Sequence, residues 1–141
     1  MRISEGVFLL DTHVWLWLMG GDGGMKPSAV RAIEAAASHG LVRVSVISIW
    51  EVAMLEAKGR IRLAKECLAW VGDALRAPGI AMVPLTPEIA VEGSRLPATF
   101  HGDPADRILV ATARREGAIL ATRDERILAY GKAKHVAVMA V

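Results

Sequence analysis

The sequence predicts an α/β fold, a three-layer sandwich with helices on both faces of a mostly parallel sheet of about five strands. Short, continuous apolar runs recur along the chain, as strands buried on both faces require. The first three are each followed by a segment with helical periodicity and a capping signal. No internal repeat or low-complexity tract interrupts the alternation, and strands alternating with helices build βαβ units.

"GVFLL" (Gly6 to Leu10) reads as the first strand, ended by Asp11 and Thr12, where a helix through Trp15 and Leu18 begins. "GGDGG" (Gly20 to Gly24) is a flexible break, and "KPSAVRAIEAAASHG" is an alanine-rich helix stopped by Gly40. "LVRVSVI" (Leu41 to Ile47) is the second strand and runs directly into "SIWEVAMLEAKGR", where Ser48 and Glu51 have the spacing of a capping box and Gly59 ends the helix. Residues 64–76 read as a further helix and "GIAMVPL" as the third strand. "TPEIAVEGSRL" is a short helix with Thr86 as its cap and Pro87 at its first position.

After the loop "PATFHGDP" comes the helix of "HGDPADRILVATARREG". Asp103 is a good N-cap, Pro104 suits N1, and Asp106 falls at N3 beside the positive end of the helix dipole. "AILAT" (Ala118 to Thr122) is the fourth strand, a short polar segment starts at Arg123, and "HVAVMAV" is the last strand.

A chain of 141 residues fits one domain, residues 1–141, with a substantial core. Hydrophobic residues make up 53%, rich enough to predict apolar surface covered by a partner. Every apolar run breaks before the roughly 18 residues a bilayer requires, so no membrane span is predicted. The N-terminal stretch has the basic start and apolar run of a signal peptide, but Asp11 and His13 cut through it and no small-x-small site follows. It reads instead as the first strand and helix of a cytoplasmic protein. Cys67 stands alone, forms no internal disulfide and reads as a small buried hydrophobe. The net charge is +2, and twelve of the 17 bases are arginine, whose planar fork suits phosphate oxygens.

The acidic caps are not independent of one another. Asp11 ends the first strand, Glu51 lies in the first turn of the helix after the second, Asp106 in the first turn of a later helix, and Asp124 just beyond the fourth strand. Right-handed crossovers bring all strand ends of one sense to one edge of a parallel sheet, and ligands bind there at the switch point of strand order. Four carboxylates that look like separate caps therefore face one cleft, with Asp103 as a possible fifth. Two unit charges about 4 Å apart repel by roughly 4 kcal/mol at an effective dielectric of 20. Either some of these acids are protonated at neutral pH or a cation sits among them. An all-oxygen set suits Mg²⁺ or Mn²⁺ better than zinc, and the chemistry such an ion serves is phosphodiester hydrolysis by an activated water. With these four acids set aside, 17 bases face 11 acids, a balance of +6 that fits a polyanionic substrate.

Neighbouring residues have two readings each. Thr12 and Ser48 either cap helices or hydrogen-bond the metal shell and substrate. Arg107 and Arg123, next to the third and fourth carboxylates, either contact phosphate or form salt bridges to the cluster. His13 and His101 either position a phosphate and protonate a leaving group or are structural. Trp15, Trp17 and Trp50 fall in the first turns of apolar helices, placed for core or dimer packing rather than base stacking.

The pieces "LLDTHVWLWL", "VSVISIWEVAMLEAKGRI", "PLTPEIAVEGSRLP", "HGDPADRILVATARREG" and "LATRDERILAYG", in this order and over nearly the whole chain, resemble the PIN-domain family and in particular its VapC-like ribonuclease toxins of type II toxin-antitoxin systems. The resemblance implies a PIN-like α/β/α sandwich and a metal-dependent endoribonuclease with Asp11, Glu51, Asp106 and Asp124 around the metal and Asp103 beside them. It also implies a homodimer and neutralisation by a small antitoxin protein, for which apolar surface over the early helices is the expected groove. Two features depart from the family pattern. Asp-Pro-Ala-Asp stands where many relatives carry an aromatic third residue, and the last strand lacks a closing aromatic; both bear on substrate fit rather than on the ligand set. A DNA or RNA-processing nuclease without an antitoxin and a catalytically silent binding module are the alternatives. A haloacid-dehalogenase-like phosphatase would need Asp at position 13, which is His13, and a dinucleotide-binding turn would need glycines absent from "DTHVWL".

Overall fold

A computed structural model describes residues 6–21 and 23–141; the basic start Met1 to Glu5 and Asp22 of the glycine-rich break lie outside the described residues. The elements run β1 (Phe8–Leu10), α1 (Thr12–Gly20), α2 (Pro27–Ala37), β2 (Val42–Ser45), α3 (Val46–Ala57), α4 (Cys67–Leu75), β3 (Ile80–Val83), α5 (Pro87–Ser94), α6 (Pro104–Glu116), β4 (Ile119–Thr122), α7 (Glu125–Lys132) and β5 (Val138–Ala140). The five strands form one sheet in the order β3-β2-β1-β4-β5, and every pairing is parallel.

Alternation along the strands splits the core in two. Phe8 and Leu10 of β1 pack with Val42 and Val44 on one face, against Val14 and Trp15 of α1, Ile33 of α2 and Val71 of α4. Leu9 and Leu120 face the other way, against Ile89 of α5, Leu109 of α6 and Ile127 of α7. The chain steps outward from β1 to β2 and β3, then returns across the sheet to β4 and β5. Reversing direction while keeping right-handed crossovers moves the connecting helices to the opposite face. The reversal lies between β1 and β4, so the crevice at their carboxyl ends receives the residues that follow them, Asp11 and Asp124.

Three local expectations are corrected. The second strand ends at Ser45, whose hydroxyl caps α3 by accepting the Ile47 N–H at 3.1 Å. Ser48 is therefore inside the helix and fully buried, and it forms no capping box with Glu51; the run "VSVI" is apolar in either conformation, so periodicity could not place the boundary. The polar segment after β4 is the helix α7, where Asp124 accepts the N–H groups of Arg126 and Ile127 at 2.8 and 3.0 Å while Ile127 and Tyr130, one turn apart, are buried. Cys67 is only half-buried, at the start of α4. Among the tryptophans, Trp15 is buried against Trp70 at a ring separation of 5.2 Å and Trp17 packs on the same core. Trp50 is 59% exposed, because α3 turns Ser48 and Val52 inward and position 50 falls on the opposite side of the helix.

Candidate active site

Each acid is delivered by a strand-to-helix junction. β1 runs directly into Asp11, the N-cap of α1, whose Oδ1 accepts the Thr12 N–H at 2.7 Å. Its Oδ2 accepts the hydroxyl of Thr122 at 2.7 Å, and the same Thr122 oxygen accepts the Asp124 N–H at 3.0 Å. One buried hydroxyl at the end of β4 thus ties together the carboxyl ends of the two central strands. Glu51 accepts the Thr12 hydroxyl, and Thr12 Oγ1 also lies 2.9 Å from Ser48 Oγ. Threonine has one hydroxyl proton and the carboxylate is the stronger acceptor, so Ser48 supplies the proton of the second bond. Thr12 and Ser48 are both buried. They hold Glu51 in place instead of meeting a substrate.

Asp106 sits at N3 of α6, its N–H donated to the capping Asp103 Oδ1 at 3.1 Å. Its Oδ2 lies 3.2 Å from His101 Nε2 and 3.8 Å from Arg126 Nη2. The His101 contact is close but misaligned, and Nε2 has no hydrogen-bond partner despite being buried. Arg126 also approaches Asp124 Oδ2 at 3.4 Å. Asp11, Asp106 and Asp124 share a cleft of about 350 Å³ with His13, Trp17 and Arg123.

Burial pushes the Asp106 carboxyl up to about 7, reinforced by the charges of Asp103, Asp11, Asp124 and Glu51. Burial also raises Asp11 against the pull of Thr122 and Thr12, and raises Glu51 against its bond from Thr12, with Asp11 and Asp103 adding to the rise. At Asp124 burial acts upward too, but the Ile127 and Arg126 N–H groups and the Arg126 guanidinium outweigh it and the carboxyl lies below its ordinary value. Asp106 thus feels the charge of the four other acids, Glu51 that of Asp11 and Asp103, and Asp11 that of Asp124.

Among the described residues, no three His, Cys, Asp or Glu side chains stand close enough to enclose an ion by themselves. A zinc site with three or four protein ligands does not fit. Oxygen donors spread round an open cleft fit a hard cation that keeps several waters and takes only one or two carboxylates directly. Asp11, Asp106 and Asp124 meet in that cleft as the sequence predicts, while Glu51 is linked to it through Thr12 and the exposed Asp103 acts as a cap and a nearby charge.

Among the basic residues, Arg107 departs from its expected role. Its guanidinium donates to the carbonyls of Gly93 (2.8 Å), Phe100 (2.9 Å) and His101 (3.2 Å), so it pins the loop before α6 to the end of α5 and has little left for phosphate. Arg123 lies 4.2 Å over the Trp17 ring and donates to Gly23 O at 2.9 Å, yet it remains exposed on the rim of the cleft. His13, exposed, tilts against Trp17 at 5.9 Å on the same rim. Thr122 and Arg126 were not singled out from sequence. A threonine as the last residue before "RDER" was the only signal for the first, and nothing local marks the second.

A pH dependence follows for the metal-free protein. A carboxyl whose pKa is about 7 in the fold and ordinarily 3.8 holds a proton in the folded state that the unfolded chain releases. Stability is then greatest at low pH and is lost as pH rises between those values, by up to about 4 kcal/mol for Asp106 alone; Asp11 and Glu51 act in the same direction. In chelator, the Tm is expected to fall by on the order of 10 °C between about pH 5 and pH 8 and to recover with added Mg²⁺ or Mn²⁺. A Tm that is flat or rises over that range in chelator contradicts the clustering of these acids.

The profile of the PIN domain family matches residues 8–133. The chain is 36% identical over 130 residues to Ribonuclease VapC22 of Mycobacterium tuberculosis (strain ATCC 25618 / H37Rv), covering 92% of this chain and 96% of that protein. A chain of the crystal structure of VapBC2 from Rickettsia felis bound to a DNA fragment from its promoter superposes with a TM-score of 0.67 at 12% identity, covering 95% of this chain and 98% of that one. VapBC-5 from Mycobacterium tuberculosis, described as a member of the VapBC family of toxin-antitoxin systems, gives a TM-score of 0.58 at 15% identity, covering 96% and 99%. The parallel five-stranded sheet, the acids at its carboxyl edge and a family match over residues 8–133 agree, and this chain belongs to the PIN domain family.

Proposed function

We propose that this chain is a metal-dependent endoribonuclease, the toxin of a type II toxin-antitoxin pair, which hydrolyses RNA phosphodiester bonds in the cytoplasm. The observation that carries the reading is the meeting of Asp11, Asp106 and Asp124 in one cleft at the carboxyl edge of the sheet, where burial and the neighbouring acids push the Asp106 carboxyl up to about 7. Likeness to a relative named as a ribonuclease supports the activity, and likeness to a VapBC toxin-antitoxin member supports the partner.

One or two of Asp11, Asp106 and Asp124 would hold the ion, Mg²⁺ or Mn²⁺, directly and the others through its waters, with Glu51 and Asp103 adding charge nearby. When bound, it supplies polarisation of a phosphoryl oxygen and an activated water. The chain's own residues do the positioning. Thr122 fixes Asp11 through Oδ2, and the Ser48–Thr12 relay fixes Glu51. Arg126 and Arg123 put cations beside the acids, where a phosphodiester would otherwise be repelled.

A hollow of about 610 Å³ between α1 and the segment before α4, lined by Leu16, Trp17, Ile61, Leu63 and Trp70 together with His13 and Arg62, fits an amphipathic segment of a small antitoxin. Exposed Trp50, Leu85 and Val91 offer surface for a second copy of the chain.

The test is cleavage of a labelled single-stranded RNA by the purified chain with Mg²⁺, Mn²⁺ or EDTA. Cleavage with either ion is expected to exceed that in EDTA by at least about a hundredfold. Equal rates in EDTA would overturn the reading.

A further inference from the structure

His101 and Arg126, which stand beside Asp106, also line a second hollow of about 340 Å³ that the proposed mechanism does not use. Its wall carries a run of rings. His101 packs on Phe100 with centroids 4.4 Å apart, Phe100 on Tyr130 at 4.8 Å, and Tyr130 on His135 at 4.7 Å. His135 in turn borders a third hollow of about 850 Å³, which also holds Arg114, Arg115, Lys134 and Glu92. Both arginines pair with Glu92, at 2.8 and 3.6 Å, so three permanent cations against one carboxylate leave this hollow at net +2. His135 is common to the ring-lined and basic hollows, and the contacts of His101 and Arg126 with Asp106 connect the ring-lined hollow to the acid cleft, so the three lie in sequence.

Backbone conformation adds an independent observation. Among the described residues, the non-glycines at positive φ are Ala98, at 56°, and Lys134, at 69°, and each lines one of these hollows. Lys134 follows the C-cap of α7, where glycine is the usual and less strained choice. Keeping lysine there places a cation at the basic hollow.

We infer that these hollows form a track along which the single strand of an RNA substrate runs from the acid cleft, its bases against the half-buried Phe100 and His135 rings, which the buried Tyr130 braces from behind, and its phosphates toward Arg126, Arg115 and Lys134. The inference rests on the nuclease reading for the identity of the strand. Flat rings alternating with cations are what a single strand requires, because stacking accepts any base and cations follow the backbone. A volume of about 340 Å³ lies at the lower end of ligand sites, roughly 300–1,000 Å³, and admits a nucleobase. An A-form duplex keeps its base faces stacked inside and has nothing to offer the rings. The track therefore selects unpaired RNA without reading its sequence through stacking.

Binding of a fluorescent single-stranded RNA of about 12 nucleotides, measured by anisotropy in EDTA, needs no turnover and tests the track directly. Phe100→Leu keeps the apolar volume and removes the flat face; it is expected to weaken binding roughly tenfold. Arg115→Gln combined with Lys134→Gln, both on exposed side chains, is expected to lower the slope of log affinity against log salt by about 1.4. Wild-type affinity and slope in both variants, or equal binding of an RNA duplex, would overturn the track even if the protein cleaves RNA. Ring-dependent and charge-dependent binding by a wild type that never cleaves RNA with Mn²⁺ would support the track and refute the nuclease reading, so the two fail separately.

Discussion

Asp106→Asn is expected to reduce RNA cleavage by at least about a thousandfold and, in the same protein, to raise the Tm in chelator at pH 8. Asparagine keeps the shape of the side chain and leaves the α6 cap intact, because Asp103 bonds the backbone N–H of residue 106 and not its carboxyl. What disappears is a buried negative charge surrounded by four others. At pH 8 the wild-type carboxyl, with a pKa of about 7, is mostly ionised, and keeping it so costs the fold up to about 4 kcal/mol. Loss of activity with a gain in stability separates a functional acid from a structural one, since unfolding would move both downward. Cleavage assays with Mn²⁺ beside thermal melts in EDTA provide both readings, and loss of growth arrest in cells expressing the variant is the parallel result. An active Asp106→Asn enzyme would falsify the site.

Thr122→Val is expected to weaken divalent-ion affinity about tenfold to a hundredfold, although Thr122 is buried. Valine matches threonine in shape, so packing between β4 and the helices persists. The hydroxyl is lost from Asp11 Oδ2 and from the Asp124 N–H together. Two acids then lose their common anchor, and the unsatisfied groups cost about 1–3 kcal/mol of stability. Thr122→Ser restores the hydroxyl and should return affinity close to wild type despite the missing methyl group. Calorimetric titration with Mn²⁺ distinguishes the two variants; equal affinities would mean that packing, and not the hydrogen bond, is what Thr122 contributes.

Much of this architecture was legible locally. Asp103-Pro104-Ala105-Asp106 and Thr86-Pro87 each specify a helix start within one turn, and the structure begins α6 and α5 there. The boundary at Ser45 and the helix α7 were not legible. "VSVISIW" is apolar in both conformations, and α7 is only eight residues long, opens on the charged Glu125 and Arg126, and buries only Ile127 and Tyr130. Which side of α3 carries Trp50, and the three carbonyl partners of Arg107, were not legible for a different reason, since both depend on how α3 and α6 are rotated against their neighbours.

The sequence by itself determined that acids stand at the strand-to-helix junctions of a parallel sheet, and hence the expectation that Asp11, Glu51, Asp106 and Asp124 face one cleft, three of which line it while Glu51 is reached through Thr12. A cap is chosen by the few residues of its own turn, and parallel crossovers send all such turns to the same side. Only the tertiary structure decided which groups hold those acids and which cations face them. Thr12 reaches Glu51 across 39 residues and Thr122 reaches Asp11 across 111. Those bonds exist because β4 lies directly beside β1 and α3 packs against α1. Strand order and helix rotation are settled by the packing of the whole core, and no local pattern encodes them.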